Sequence, residues 1–359
     1  MKIITKYIFK KYLINFLLVL VSLEIFFVGL DYLQNFKAIP DSANLKLLYV
    51  LYTAFFTLTL ALPLSIVFGW VVTLVVYIKN NEYVAFYSLG ATRKDIMSPV
   101  FFISSLALVT LILLQMTPLA YSYEQKRKIV NNEYFSNTRN DIFLKYNDNY
   151  IYFKKLLPIE KIAEDIHIFK VVDKSIVQVI VAQKAYFQDD KWYIQDAKVI
   201  DKPKDLNIDE SKLDIRYEKS LDTLYGFKPK ILDNVYEDSS SFATSFSIID
   251  AITAYMLLNE QGIKTDKIRS LLYNEVLVPF FIFPILLLIF AYSSLNSRFF
   301  NMGKFVSFSV FGTLVIWGVF FILYKFTNTI TVGPEITVLL PLILWLTVSI
   351  LQYKRKINS

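Results

Sequence analysis

The chain lacks cysteine altogether, so it has no disulfide framework and no thiol chemistry. Histidine occurs once, as His167. That argues against His-clustered metal sites, Ser-His-Asp triads and histidine proton relays, and neither a metal nor a cofactor is expected. No G-x-x-x-x-G-K-[ST] stretch occurs, so the chain has no P-loop of its own. No internal repeat supports an inverted-repeat transporter. Charge is sparse as well: 19% of the 359 residues are charged, whereas 55% are hydrophobic, with 31 Phe and 24 Tyr. Such a chain is too apolar to be soluble, and its long uncharged runs point to transmembrane helices.

Six runs are long enough to span a bilayer: Tyr12–Leu33, Leu47–Ile78, Ile96–Tyr121, Leu271–Tyr292, Phe305–Phe326 and Ile336–Tyr353. The second exceeds the ~20 residues that hydrocarbon requires, so it is expected to tilt, or to kink near Pro63. The first has a basic start but no small-residue cleavage site after it, and reads as a retained helix. The net charge of +7 divides unevenly. Residues 123–269 hold 23 Lys/Arg and 24 Asp/Glu, and the rest holds 15 and 7. The excess cations therefore flank spans and orient them, and do not mark a nucleic-acid-binding face. Lys2, Lys6, Lys10, Lys11, Lys79, Arg93, Lys94, Arg298, Lys304, Lys354, Arg355 and Lys356 fall on one side; Lys37, Lys46 and Lys325 fall on the other. This bias puts both termini in the cytoplasm.

Residues 123–269 then lie outside the cytoplasm. "DIFLKYNDNYIYFKKL" alternates around an Asn-Asp-Asn turn. "DIHIFKVVDKSIVQVIVAQKAYFQDDKWYIQDAKVI" gives short β-branched and aromatic runs broken by Asp-Lys-Ser and Asp-Asp-Lys turns. "FSIIDAITAYMLLNEQG" reads as a short helix ending before Gly262 and returning the chain to the bilayer. The organisation is residues 1–122 with three spans, 123–269 with an all-β domain and return helix, and 270–359 with three more spans.

Between the second and third spans stands "NNEYVAFYSLGATRKDI". Tyr83, Val84, Phe86, Tyr87 and Leu89 are spaced for one short cytoplasmic helix near residues 80–90. Asn80 or Asn81 is positioned to cap it, Glu82 favours its first turn, and Gly90 ends it. A short amphipathic helix on this face has the shape to dock in a groove of another subunit; the plain alternative is a connector resting on the lipid interface.

This segment, continued as "NNEYVAFYSLGATRKDIMSPV", resembles the coupling segment of the LptF/LptG (YjgP/YjgQ) permease family. "KYIFKKYLINFLLVLVSLEIFFVGLDYLQNF" looks like that family's opening helix, "YNEVLVPFFIFPILLLIFAYSS" is similar to its fourth span, and "AYFQDDKWYIQDAKVI" resembles its hairpin. Ala91-Thr92 stands where Val-Ser commonly follows the glycine. The resemblance covers nearly the whole chain, and "FVGLDYLQNFK" and "DDKWYIQDAKV" lean toward G. It implies a membrane α-helical, three-plus-three permease with an inserted periplasmic jellyroll-like domain. The subunit would be non-catalytic and sit in a Gram-negative inner membrane. Its implied partners are a cytoplasmic ABC ATPase dimer, a sister LptF/LptG permease, periplasmic Lpt bridge proteins and lipopolysaccharide. The lipid would enter between the first span of one permease and the fifth of the other, and pass to the β-domains.

The resemblance makes Glu82, Tyr83, Phe86, Leu89, Gly90 and Arg93 the ATPase-coupling candidates. Lys37 and Lys325 are the cations best placed for lipid phosphates, although any Lys at a span end can snorkel. Lys126, Arg127 and Lys128 form an outer basic cluster, against the positive-inside pattern, which reads as an anion site or a solvated helix end. Ile166, Ile168, Val177, Val179 and Val181 are candidates for the inside of the β-domain, either as ordinary core or as an acyl-chain groove. Glu24 and Asp31 are costly in a span. Glu24 is expected to bond a neighbouring helix, and Asp31, near the interface, needs no special explanation. His167 reads as a strand-surface residue and Trp192 as core. Two other functions compete with this reading. A membrane-anchored sensor or scaffold would use the β-domain for ligands, but no cytoplasmic signalling domain is present. A lipid enzyme would need converging catalytic residues, and these are scattered.

Overall fold

A computed structural model of the chain describes residues 3–132, 139–146, 149–157, 160–172, 175–202, 213–226, 247–260, 265–293, 300–329 and 333–358. The Asn147–Asp148 and Asp173–Lys174 turns, Gly262 and Arg298 lie outside these residues. The chain forms a helical unit (residues 1–130, 245–255 and 264–359) and a sheet unit (131–244 and 256–263).

The helical unit begins with α1 (Ile3–Asn35), α2 (Ala43–Lys79), α3 (Glu82–Ser88) and α4 (Arg93–Gln115). A 3₁₀ turn at Pro118–Tyr121 leads into α5 (Ser122–Val130). After α6 (Ile248–Glu260) come α7 (Asp266–Val276), a 3₁₀ turn at Val278–Phe281, and α8 (Ile282–Tyr292). Then follow α9 (Met302–Thr329), a π turn at Glu335–Leu339, and α10 (Leu340–Asn358). Among the described residues five helices are long and apolar enough to cross a membrane: α1, α2, α4, α9, and α10 with its π turn. The pair α7 and α8, bent by 45° at the break, is long and apolar enough only when taken together, which gives six if the pair is one span.

The fourth span is therefore not the single helix over 271–292 that its hydropathy suggests. Pro279 and Pro284 each lack the N–H that would continue the ladder. Beside the break, Trp345 Nε1 of α10 donates to the Phe281 carbonyl at 3.2 Å. Pro63, by contrast, is carried inside an unbroken α2.

α2 is the hub. The most apolar stretch of α2 is 78% buried, against 6% for α1 and 17% for α9. α1 lies on α2 at Gly69, where a Cβ would come within 2.7 Å of the Phe16 Cα, so only glycine permits this approach. The seam is also polar: Tyr12 Oη donates to the Ile66 carbonyl (3.1 Å) and Asn15 to Thr73 (2.9 Å). Glu24 accepts from Thr57 of α2 at 2.7 Å, the expected bond to a neighbouring helix.

The sheet unit is one antiparallel sheet of six described strands: β1 (Arg139–Tyr146), β2 (Asn149–Leu157), β3 (Ile162–Val172), β4 (Ser175–Gln188), β5 (Lys191–Asp201) and β6 (Asp214–Thr223). Each strand pairs with its neighbour in sequence. The β4–β5 turn has Asp189 at φ 49° and Asp190 at φ 61°, the two left-handed residues of a type I′ hairpin. One face is buried around Ile151, Phe153, Ile166, Ile168 and Trp192. Val177, Val179 and Val181 do not join that core. Register pairs Ile166 with Ala182 and Ile168 with Ile180, which sends Val179 and Val181 to the other face, opposite Phe169 and His167. The run "VQVIVA" has no alternation, so periodicity could not choose its face; pairing with β3 does. His167 is half-buried on that second face, its ring 5.7 Å from Tyr152.

Candidate functional site

The stretch from Asn80 to Asp95 is fixed at both ends of α3. Glu82 opens the helix and accepts from Asn80 Nδ2 (3.0 Å) and from Tyr7 Oη of α1 (2.9 Å). Asn81 occupies the N-cap in a left-handed conformation, and its side chain makes no cap bond, contrary to the capping expected of it. At the other end Gly90 has φ +77°. Gly90 N donates to Tyr87 O and Ala91 N to Phe86 O, both at 2.9 Å, the paired bonds of a Schellman stop. Thr92 then caps α4 reciprocally with Asp95: Asp95 N donates to Thr92 Oγ1 (3.2 Å) and Thr92 N to Asp95 Oδ2 (2.9 Å).

This geometry sorts the candidate residues into two sets. Tyr83 and Phe86 face inward and are buried. Phe86 meets the ring of Tyr77 edge-on at 5.1 Å, and Tyr83 meets Phe290 of α8 at 6.1 Å. Tyr83 Oη also shares a 3.2 Å hydrogen bond with Ser293 Oγ. Burial pushes the Tyr83 phenol well above its ordinary value, so it remains a neutral hydroxyl. Leu89, Gly90 and Arg93 are exposed, together with Val84, Ala85 and Ser88. A small apolar face with a cation at one edge thus points away from the chain's own core, on a helix anchored to α1, α2 and α8. Sequence reasoning missed Tyr7 and Ser293 as its supports, which no local signal marks. It also missed the Thr92–Asp95 cap, which the T-x-x-D spacing did signal.

The candidate lipid cations occupy different settings. Lys37 is exposed in the turn after α1. Lys325 is half-buried on α9, its amine 6.0 Å from the Phe321 ring centroid. Lys126 and Lys128 are buried on α5, not solvated. Lys126 pairs with Asp31 of α1 among the rings of Tyr49, Phe56 and Tyr123, and Lys128 pairs with Glu124. Asp31 also accepts from Tyr49 Oη. Arg127 is half-buried beside them. Ile166 and Ile168 are closed inside the sheet core. Among the described residues no three His, Asp or Glu side chains converge as a metal site would require.

Residues 6–355 match the family model described as lipopolysaccharide export system permease LptF/LptG. No curated protein sequence matches the chain.

Proposed function

Because the chain belongs to the LptF/LptG family, the permeases of lipopolysaccharide export, we propose that α3 is the helix through which a cytoplasmic ATPase drives it. The chain itself is a multi-pass, non-catalytic permease subunit. The observation that carries the reading is α3: a two-turn helix stopped by a Schellman motif and anchored inward by Tyr83 and Phe86, with Val84 and its C-cap Leu89 turned outward and Arg93 of α4 exposed beyond it. A helix in this form transmits a push to α1, α2 and α8 instead of absorbing it. Both chain termini lie in the cytoplasm in this proposal, and the sheet unit in the periplasm of a Gram-negative inner membrane, as the cation bias favours.

The little-buried faces of α1 and α9 support a sister permease as the second partner, because large unpartnered helix surfaces suit either lipid or another helix. Lipopolysaccharide would enter between the first span of one permease and the fifth of the other. It would be expelled toward the sheet units and a periplasmic bridge when the ATPase dimer closes. Affinity purification of the full chain from detergent, with mass spectrometry, is expected to recover the ATPase and the sister permease together. Leu89→Asp should lower ATPase recovery at unchanged membrane levels, and equal recovery would make α3 a connector. A reporter fused at Asp205 should read periplasm and one after Ser359 cytoplasm; cytoplasmic signal at Asp205 would overturn the six-span topology.

A further inference from the structure

A cavity of about 530 Å³ opens on the surface of the helical unit between α8, α9 and α10, within the size range of ligand sites. Its walls are Ile285 and Ile289 of α8, Phe308, Gly312 and Ile316 of α9, and Trp345 of α10. Polarity is confined mainly to one end. There Lys304 stands on the first turn of α9, Asn301 Oδ1 accepts from the Lys304 amide at 3.0 Å, and Tyr292 closes α8. Lys356 brings a second cation to this end, its Nζ 5.9 Å from the Tyr292 ring centroid. Among the described residues no Asp or Glu lines the cavity, and the sequence from 293 to 309 contains none.

The dimensions select an occupant. From Lys304 to Ile316 the helix rises about 18 Å, close to the ~15 Å hydrocarbon depth of one leaflet. The cavity is therefore one leaflet long, apolar along its length and cationic at its aqueous end. A transmembrane helix from a partner would have no use for a cation pair at one end only, and would continue past Ile316. We propose that this groove holds an acyl chain of an anionic glycerophospholipid from the leaflet on the side of the two chain ends, with Lys304 at its phosphate. This is the opposite membrane side from Lys37 and Lys325, so the bound lipid is not the exported one; that assignment rests on the six-span topology. Gly312 makes the room: a Cβ built there meets nothing within 4 Å.

Native mass spectrometry of the full chain tests this, with dioleoylphosphatidylglycerol and dioleoylphosphatidylcholine as probes. One phosphatidylglycerol should be retained per chain in preference to phosphatidylcholine. Lys304→Ala should cut that preference about fivefold, the effect of one lysine at a membrane surface. Gly312→Leu should reduce retention of both lipids by filling the groove. Gly318→Leu, on the same helix but outside the cavity and with equally open space, should bind like the native chain. Added lipopolysaccharide should not displace the lipid. Native-like binding by both Lys304→Ala and Gly312→Leu, or displacement by lipopolysaccharide, would overturn the proposal. So would a photo-crosslinker at Phe308 that captures a second permease chain and no phospholipid, since the groove would then be a protein interface.

Discussion

Tyr83 and Ser293 share a hydrogen bond of 3.2 Å across 210 positions of sequence, joining the two-turn helix between α2 and α4 to the end of α8. The bond is one of two independent ties, the other being the packing of the Tyr83 ring against Phe290. The two can be separated. Tyr83→Phe removes only the hydrogen bond, about 1 kcal/mol, and should leave ATPase recovery near native. Tyr83→Ala leaves a cavity worth about 3–5 kcal/mol, enough to undock so short a helix, and should abolish recovery while the chain still reaches the membrane. Equal recovery for both would mean that α3 need not be docked to bind.

Gly90 offers a purely backbone test. A Cβ there meets no atom within 4 Å, yet φ is +77°. Gly90→Ala should therefore cost about 1–2 kcal/mol through left-handed strain alone. Amide exchange at Leu89–Ala91 in the full chain should quicken by about five- to thirtyfold. Gly90→Asn, which tolerates this conformation, should quicken it less. Exchange unchanged in Gly90→Ala would show that the Schellman stop is not what holds the helix end.

The buried pair of Lys126 and Asp31 makes a third expectation. Breaking it from one side, by Lys126→Ala, leaves an uncompensated charge and should destabilise the detergent-solubilised chain by about 3–5 kcal/mol. Replacing both partners, Lys126→Met with Asp31→Leu, should recover most of that loss. If Lys126→Ala melts like the native chain but fails in lipid release, the residue serves substrate and not the fold.

These cases show what could be read in advance. Apolar runs carried the spans, and Gly90 carried the end of α3, because each is a local signal. The bend beside Pro279 was present in the letters, but hydropathy averages over it. Lys126 looked like part of a solvated cluster because its partner, Asp31, is 95 residues away. The face taken by Val179 and Val181 depended on pairing with β3, which an unbroken apolar run does not encode. The segment proposed for coupling was legible as a short helix, but the division into inward Tyr83 and Phe86 and outward Val84 and Leu89 needed the packing of α1 and α8.

Lys37 and Lys325 remain the cations to test on the lipid path, and the structure gives them unequal weight. A phosphate contact to a charged donor contributes about 1.5–3 kcal/mol when partly desolvated, and little when fully wet. Lys325 is half-buried against Phe321, whereas Lys37 is exposed on a turn. Lys325→Ala should therefore slow lipopolysaccharide release to a periplasmic acceptor more than Lys37→Ala, and the double change more than either, with basal ATP hydrolysis kept. Photo-crosslinkers at both positions should capture lipopolysaccharide in membranes. One at Ile168, closed within the sheet core, should capture it only if the sheet opens during transport. Capture at Ile168 with none at 37 or 325 would make the two lysines interface anchors and place the lipid's route elsewhere.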